Sequence, residues 1–262
     1  LARLGTTATA EEITDTSVTQ PLVVAATLLA HLEMTKRGLL AGADTVVAGH
    51  SVGEIAAYAI AGVLSADDAV SLAATRGSEM AKACAVEPTG MAAVLGGDEA
   101  EVLARLDALD LVPANRNAAG QIVAAGAISA LDKLVEDPPA KARVRKLATA
   151  GAFHTHFMAS ALDGYSAAAD AVTASEPTTS LLSNADGQPV GSAADAIAKL
   201  VAQLTQPVRW DLCTETMRQR EVTAIIEFPP AGTLVGIAKR ELRGVPTYAV
   251  KTPADLDGLS EL

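Results

Sequence analysis

The chain has 262 residues and a formal net charge of −11; half of its residues are apolar and only 3% are aromatic. Such a length buries a sizeable core, as one large domain or two small ones, filled here by aliphatic side chains. The acidic balance and the scarcity of aromatics argue against a general binder of nucleic acid or of anionic membranes. Two widely separated cysteines, Cys84 and Cys213, form no CxxC pattern, so a disulfide framework is not expected and a reducing cytoplasm is the simplest compartment. No apolar run is long enough to span a bilayer.

Residues 1–17 are polar and Thr-rich and read as loop with one helical turn, and the opening Leu1-Ala2-Arg3-Leu4 looks like the middle of a longer sequence. Thr19-Gln20-Pro21 opens a helix, with Pro21 early, where its missing N–H is harmless. Val23, Val24, Thr27, Leu28, His31 and Leu32 share a face of that helix, and Gly38 closes it. Thr45 to Ala48 then reads as a short buried strand, followed by Gly49-His50-Ser51-Val52-Gly53-Glu54 and the apolar helix Ile55 to Ala61. Strand, Gly-x-Ser-x-Gly and helix in that order are the context of a nucleophile elbow, with the alternative of an ordinary strand-to-helix turn. Side chains at Gly49 or Gly53 would keep the strand and the helix apart, and the Val52 N–H points toward any oxyanion beside Ser51. Ser65 and Asp68 form a capping box for a helix that carries Arg76 and runs to Ala83.

From residue 90 to 150 the pattern is strand (Met91–Leu95), helix (Asp98–Ala108), two strands (Leu111–Asn115 and Gln121–Ala125), helix (Ala127–Glu136) and strand (Ala142–Leu147). This β-α-β-β-α-β order is the ferredoxin-like split unit, inserted into a larger α/β domain. Beyond Gly151 come the loop Phe153 to Met158, a helix from Met158 to Ala174, and the strand Leu181 to Asn184. A helix over 193–204, another through Met217, the strand Thr223–Phe228 and the helix Thr233–Arg243 complete the pattern. Alternating strands and helices imply a mainly parallel sheet covered on both faces.

A serine hydroxyl needs a base within hydrogen-bond reach. Of the four histidines, His50 follows the strand and points away from its neighbour Ser51, and His31 lies mid-helix; His154 and His156 sit in a loop and are both candidates. An α/β-hydrolase would order its residues Ser, acid, His, but no acid between Ser51 and His154 has a convincing strand-end position. Arg76, among small residues, could clamp a carboxylate through two parallel hydrogen bonds or lie over the surface with its head in water.

These pieces together resemble the malonyl-CoA:acyl carrier protein transacylase family, the acyltransferases of fatty-acid and polyketide synthesis. The resemblance rests on Gly49 to Glu54, Arg76-Gly77, the split insert, Gly151-Ala152-Phe153-His154, Thr19-Gln20-Pro21, Asn115 to Gln121, Ser183-Asn184, Gln206 to Trp210, and Glu227 to Leu234. It covers essentially the whole chain. It implies an α/β-hydrolase-like domain over 1–87 and 152–262 with a ferredoxin-like subdomain over 88–151. It also implies Ser51 as nucleophile, His154 as base, the Val52 N–H as an oxyanion donor and Arg76 on the malonyl carboxylate. In this family a backbone carbonyl orients the histidine, and the matching position is Gln203; Phe153 fills the space an α-methyl group would need.

The implied reaction moves malonyl from malonyl-CoA to holo acyl carrier protein, with no bound cofactor, metal, nucleic acid or membrane, and with a serine thioesterase or a non-catalytic binding module as the alternatives. Two basic clusters, Lys141-Arg143-Arg145-Lys146 and Lys239-Arg240-Arg243, are available to an acidic carrier. Two features depart from the family pattern. No Gly-Gln-Gly motif, with its second oxyanion donor, precedes Thr19, and Pro229-Pro230-Ala231-Gly232 replaces the usual Gly-Pro-Gly loop.

Overall fold

Helix formation starts earlier than Thr19-Gln20-Pro21 suggests. The computed structural model of the protein describes residues 1–39 and 41–260. After α1 (Ala2–Thr6), the side chain of Asp15 accepts the Ser17 N–H and starts α2 (Thr16–Lys36). Pro21 therefore lies inside α2 rather than at its entry, buried beside Gln20. The Thr-rich stretch hides this start, because Thr-Ser-Val-Thr reads as loop until the Asp15 cap is noticed.

Next come β1 (Val46–Val47), α3 (Gly53–Ile60) and α4 (Ala66–Cys84), the last capped by Ser65, which accepts the Asp68 N–H at 3.0 Å. At the crossing of α2 and α4, a Cβ on Gly77 would lie 2.6 Å from the Thr16 carbonyl oxygen, so glycine permits the close approach. The insert follows as β2 (Thr89–Gly96), α5 (Glu99–Ala108), β3 (Val112–Ala118), β4 (Gln121–Ala127), α6 (Ile128–Glu136) and β5 (Ala142–Lys146). Its sheet is antiparallel in the order β3-β4-β2-β5, the ferredoxin-like arrangement that the element order predicts.

The helix expected from Met158 to Ala174 is instead a 3₁₀ turn, His156–Ala161, running into a shorter α7 (Leu162–Asp170). The Thr155 hydroxyl starts this turn by accepting the Phe157 N–H. The remaining elements are β6 (Ser180–Leu181), α8 (Ala193–Ala202), α9 (Trp210–Gln219), β7 (Ile225–Glu227), α10 (Thr233–Glu241) and β8 (Thr247–Ala249), with a 3₁₀ helix over Pro253–Leu259. Parallel pairing among the described residues is confined to two short pairs, β1 with β6 and β7 with β8, and one isolated bridge between Asn115 and Val208, rather than one long sheet. Leu182 shows why β6 is short: its N–H still reaches the Val47 carbonyl, but the residue bridges antiparallel to Pro189.

The large core joins Val24, Ile55, Tyr58, Leu72, Met80, Tyr165 and Leu200 from α2, α3, α4, α7 and α8. A second core, with Val94, Leu106, Ile122 and Leu131, fills the insert. Several contacts fasten the parts together. Phe153 and Phe157 pack on Met91, Ala114, Val123 and Ala125. The loop before α9 also lies along β3: the Arg116 N–H donates to the Val208 carbonyl and the Val208 N–H to the Ala114 carbonyl, both at 2.9 Å.

Candidate active site

The turn between β1 and α3 places Ser51 at φ 54°, in the left-handed region that a non-glycine residue enters only when its surroundings hold it there. Asn184, just beyond β6, does so: its Oδ1 accepts the Ser51 N–H at 2.9 Å and its Nδ2 donates to the Gly49 carbonyl at 2.7 Å. The two glycines of the elbow are not equivalent. A Cβ on Gly49 would lie 2.0 Å from the Gly53 carbonyl oxygen, whereas one on Gly53 would meet nothing within 4 Å. Close passage of strand and helix therefore depends on Gly49 alone. The Val52 N–H donates to no protein acceptor among the described residues, as a donor kept for a substrate oxygen would.

The loop after the insert brings His154 to the same point. Its Nε2 is 2.7 Å from Ser51 Oγ, and its Nδ1 is 2.9 Å from the Gln203 carbonyl oxygen. A carbonyl can only accept, so Nδ1 carries the proton and Nε2 keeps the lone pair that faces the hydroxyl. His154 is itself at φ 61° and is buried. Burial, and then the charge of Arg76, depress its pKa to about 3, so the ring is neutral at physiological pH.

Arg76 is a buried cation, 1% exposed, which rules out the surface alternative. Its Nη1 donates to Gln20 Oε1 and its Nη2 to Gln203 Oε1, each at 2.7 Å, and Nη2 also lies 3.3 Å from Ser51 Oγ. Its Nε is buried with no partner among the described residues. A fixed guanidinium with a spare buried donor beside a nucleophile is suited to an anion.

The structure thus brings Ser51, Val52, Arg76, His154 and Gln203 together, with Phe153 half-buried at the seam with the insert. It leaves the other histidines outside. His156 is exposed against Phe157, His31 meets the edge of Phe228, and His50 turns to Asn117 Oδ1 and Trp210. Three buried polar residues of the site, Gln20, Glu54 and Asn184, lie in stretches that sequence reading singled out without giving them a task. Their signal is a lone polar residue in an apolar context, as with Glu54 at the head of Ile55-Ala56-Ala57-Tyr58. Of the basic clusters, Lys146 is ion-paired with Asp132, while Arg240 reaches Gln121 Oε1 on β4.

Residues 6–254 match the family described as the acyl transferase domain. A protein of Mycolicibacterium smegmatis named malonyl CoA-acyl carrier protein transacylase is 82% identical, covering 100% of this chain and 91% of its own length. The crystal structure of MCAT from Mycobacterium tuberculosis superposes with a TM-score of 0.96 at 75% identity, covering 99% of this chain and 86% of that one. A malonyl-transacylase solved in complex with its type II PKS acyl-carrier protein superposes with a TM-score of 0.93 at 27% identity, covering 99% of this chain and 85% of that one.

Proposed function

The chain belongs to the acyl transferase family, and from that premise we propose that it transfers malonyl from malonyl-CoA to the phosphopantetheine thiol of acyl carrier protein through a malonyl ester on Ser51. Such transfer supplies extender units for fatty-acid synthesis. The observation that carries the reading is the meeting, at one hydroxyl, of a neutral base at 2.7 Å and a buried guanidinium at 3.3 Å.

In the first half-reaction His154 Nε2 takes the Ser51 proton as Oγ attacks the thioester carbonyl. The Val52 N–H donates to the developing oxyanion, and coenzyme A leaves as the thiol with the proton from His154. Arg76 holds the free carboxylate of the malonyl ester. In the second half the carrier thiol gives its proton to His154 and attacks the ester, and Ser51 recovers its proton as malonyl departs. The Gln203 carbonyl keeps the imidazole in the productive tautomer throughout. Phe153 at the seam narrows the space beside the α-carbon, which favours malonyl over methylmalonyl.

The same proposal divides the chain into a large part, 1–87 with 152–262, and a small part, 88–151, which the separate cores support. It places the reaction in the cytoplasm, in keeping with the unpaired Cys84 and Cys213. Among the described residues no helix is long and apolar enough to cross a membrane.

Intact-mass spectrometry after brief exposure to malonyl-CoA tests the reading. A malonyl adduct that Ser51→Ala abolishes, and that holo carrier protein removes, is the expected result. An adduct lost equally fast to water without carrier would mark a thioesterase instead, and no adduct at all would overturn both.

A further inference from the structure

We propose that Glu54 is a positioning residue for the transfer: one carboxylate ties the support of the nucleophile to the support of the base and of the guanidinium. The inference rests on the functional reading above. Glu54 stands in the first turn of α3, three residues past Ser51, and is 1% exposed. Its Oε1 accepts the backbone N–H of Asn184 at 2.5 Å, and its Oε2 accepts from the side-chain amide Nε2 of Gln203. Each partner holds a different part of the site. Asn184 fixes the Ser51 N–H and the Gly49 carbonyl. Gln203 fixes the His154 ring through its backbone carbonyl and Arg76 through Oε1. Guanidinium, amide and carboxylate therefore form a relay in which the Gln203 side chain has only one workable orientation.

Only a carboxylate satisfies this arrangement. The Ser183 hydroxyl nearby can adapt to either role, but the Asn184 N–H and the Gln203 amide are fixed donors, one to each oxygen of Glu54, so both oxygens must accept. Glutamine at position 54 would turn its own NH₂ toward one of them, donor against donor. Flipping the Gln203 amide to compensate would point N–H groups at the Arg76 cation. No placement of an amide at 54 keeps both ties. Aspartate keeps the charge and both acceptors but is one methylene short.

Protonating Glu54 creates the same defect. Burial raises its pKa to about 7, against the opposing pull of the Asn184 N–H, the Arg76 charge and the Gln203 amide. The other titratable groups around it are Arg76 on α4, Tyr58 on α3, Tyr165 on α7 and Cys213 on α9. Burial pushes both tyrosines well up and the Cys213 thiol up to about 12, so none of them ionises near neutrality, and a guanidinium keeps its charge there. His154 is already neutral there.

The test is the rate of Ser51 malonylation at saturating malonyl-CoA, followed by quenched intact-mass spectrometry from about pH 5.5 to about pH 8.5. The parent is expected to lose activity on the acid side of about 7 while remaining folded. Glu54→Gln is expected to acylate about 10²-fold more slowly and to lack that inflection. Glu54→Asp is expected to recover at least about tenfold of the loss and to restore the inflection. A Glu54→Gln rate within about twofold of the parent, or a slow variant that keeps the inflection, would overturn the inference. If Glu54→Gln does not fold, Glu54→Asp decides: acylation at least about threefold slower than in the parent supports the inference, and a rate within about twofold overturns it. Failure here leaves a normal adduct on Ser51, whereas failure of the functional reading leaves no adduct in the parent.

Discussion

Replacing Arg76 by alanine separates a clamp for the acyl carboxylate from a merely structural cation. Arg76 has five N–H donors, of which Gln20 and Gln203 each hold one and Ser51 Oγ lies near a third. The unpartnered Nε shares one edge of the guanidinium with Nη2, so exchanging the long Ser51 contact for substrate gives the parallel pair that a bidentate carboxylate takes. Two charge-assisted hydrogen bonds contribute about 3–6 kcal/mol in a water-poor site. Water admitted by the truncation recovers part of that, so about 3 kcal/mol is the expected loss, or roughly 10² in kcat/KM for malonyl-CoA. Arg76→Ala also strands the amide oxygens of Gln20 and Gln203, so its absolute rates fall for more than one reason. The ratio of malonyl to acetyl acylation removes this ambiguity, because both acyl groups use the same Ser51 and His154. Parallel mass-spectrometric acylation with malonyl-CoA and acetyl-CoA should show that ratio falling about 10²-fold in Arg76→Ala. A ratio within about threefold of the parent would refute the clamp, however slow the variant is.

Three further variants probe the other parts of the site. Phe153→Ala opens space beside the α-carbon and should raise the methylmalonyl-to-malonyl ratio by about 10- to 100-fold, the worth of one methyl in a pocket, in a direct competition of the two thioesters. Gly49→Ala drives a methyl to 2.0 Å from the Gly53 carbonyl and should abolish Ser51 acylation, while Gly53→Ala, which meets open space, should fold and acylate. His154→Gln should remove acylation and also flatten the pH dependence of stability on the acid side. The His154 pKa is depressed from 6.5 to about 3, so the unfolded chain binds the extra proton and stability falls as pH drops below about 6.5. Between pH 6.5 and pH 5 the parent should lose about 1.6 kcal/mol relative to His154→Gln in denaturant titrations, and equal slopes would contradict the neutral buried ring.

What the sequence makes legible here is what is local. The elbow can be read because strand, Gly-x-Ser-x-Gly and helix lie within one short stretch, and the split unit because each of its strands and helices shows its own period. Elements whose stability comes from distant partners are harder to see. β8 is three residues long and exists through its pairing with β7, so Thr247-Tyr248-Ala249 carries no signal of its own. The supports of the site are longer-range still: Glu54 meets Asn184 across 130 residues and Gln203 across 149. The Gln203 carbonyl has no side-chain signature whatever, because any residue could present it, and only the family resemblance pointed to that position. Local reasoning only favours His154 over His156. They are separated by the left-handed backbone at His154, which turns its ring inward and leaves His156 in solvent.

The lack of a third acid follows from the presence of Arg76. An aspartate on His154 Nδ1 would stand near a guanidinium whose Nη2 is 3.3 Å from the same Ser51 Oγ, and would compete with the malonyl carboxylate for it. The neutral Gln203 carbonyl orients the ring without adding an anion. The charge of Arg76 is instead balanced at one remove, through the Gln203 amide to Glu54, which leaves its spare donors open to substrate. That charge, balanced only at one remove, helps to hold the His154 pKa low and its basicity weak. On the proposed mechanism, a malonyl carboxylate held by Arg76 would offset the charge and make His154 a stronger base at the moment Ser51 must lose its proton. An acetyl group brings no such charge, so the proposed clamp would discriminate between the two acyl groups in the proton transfer as well as in binding.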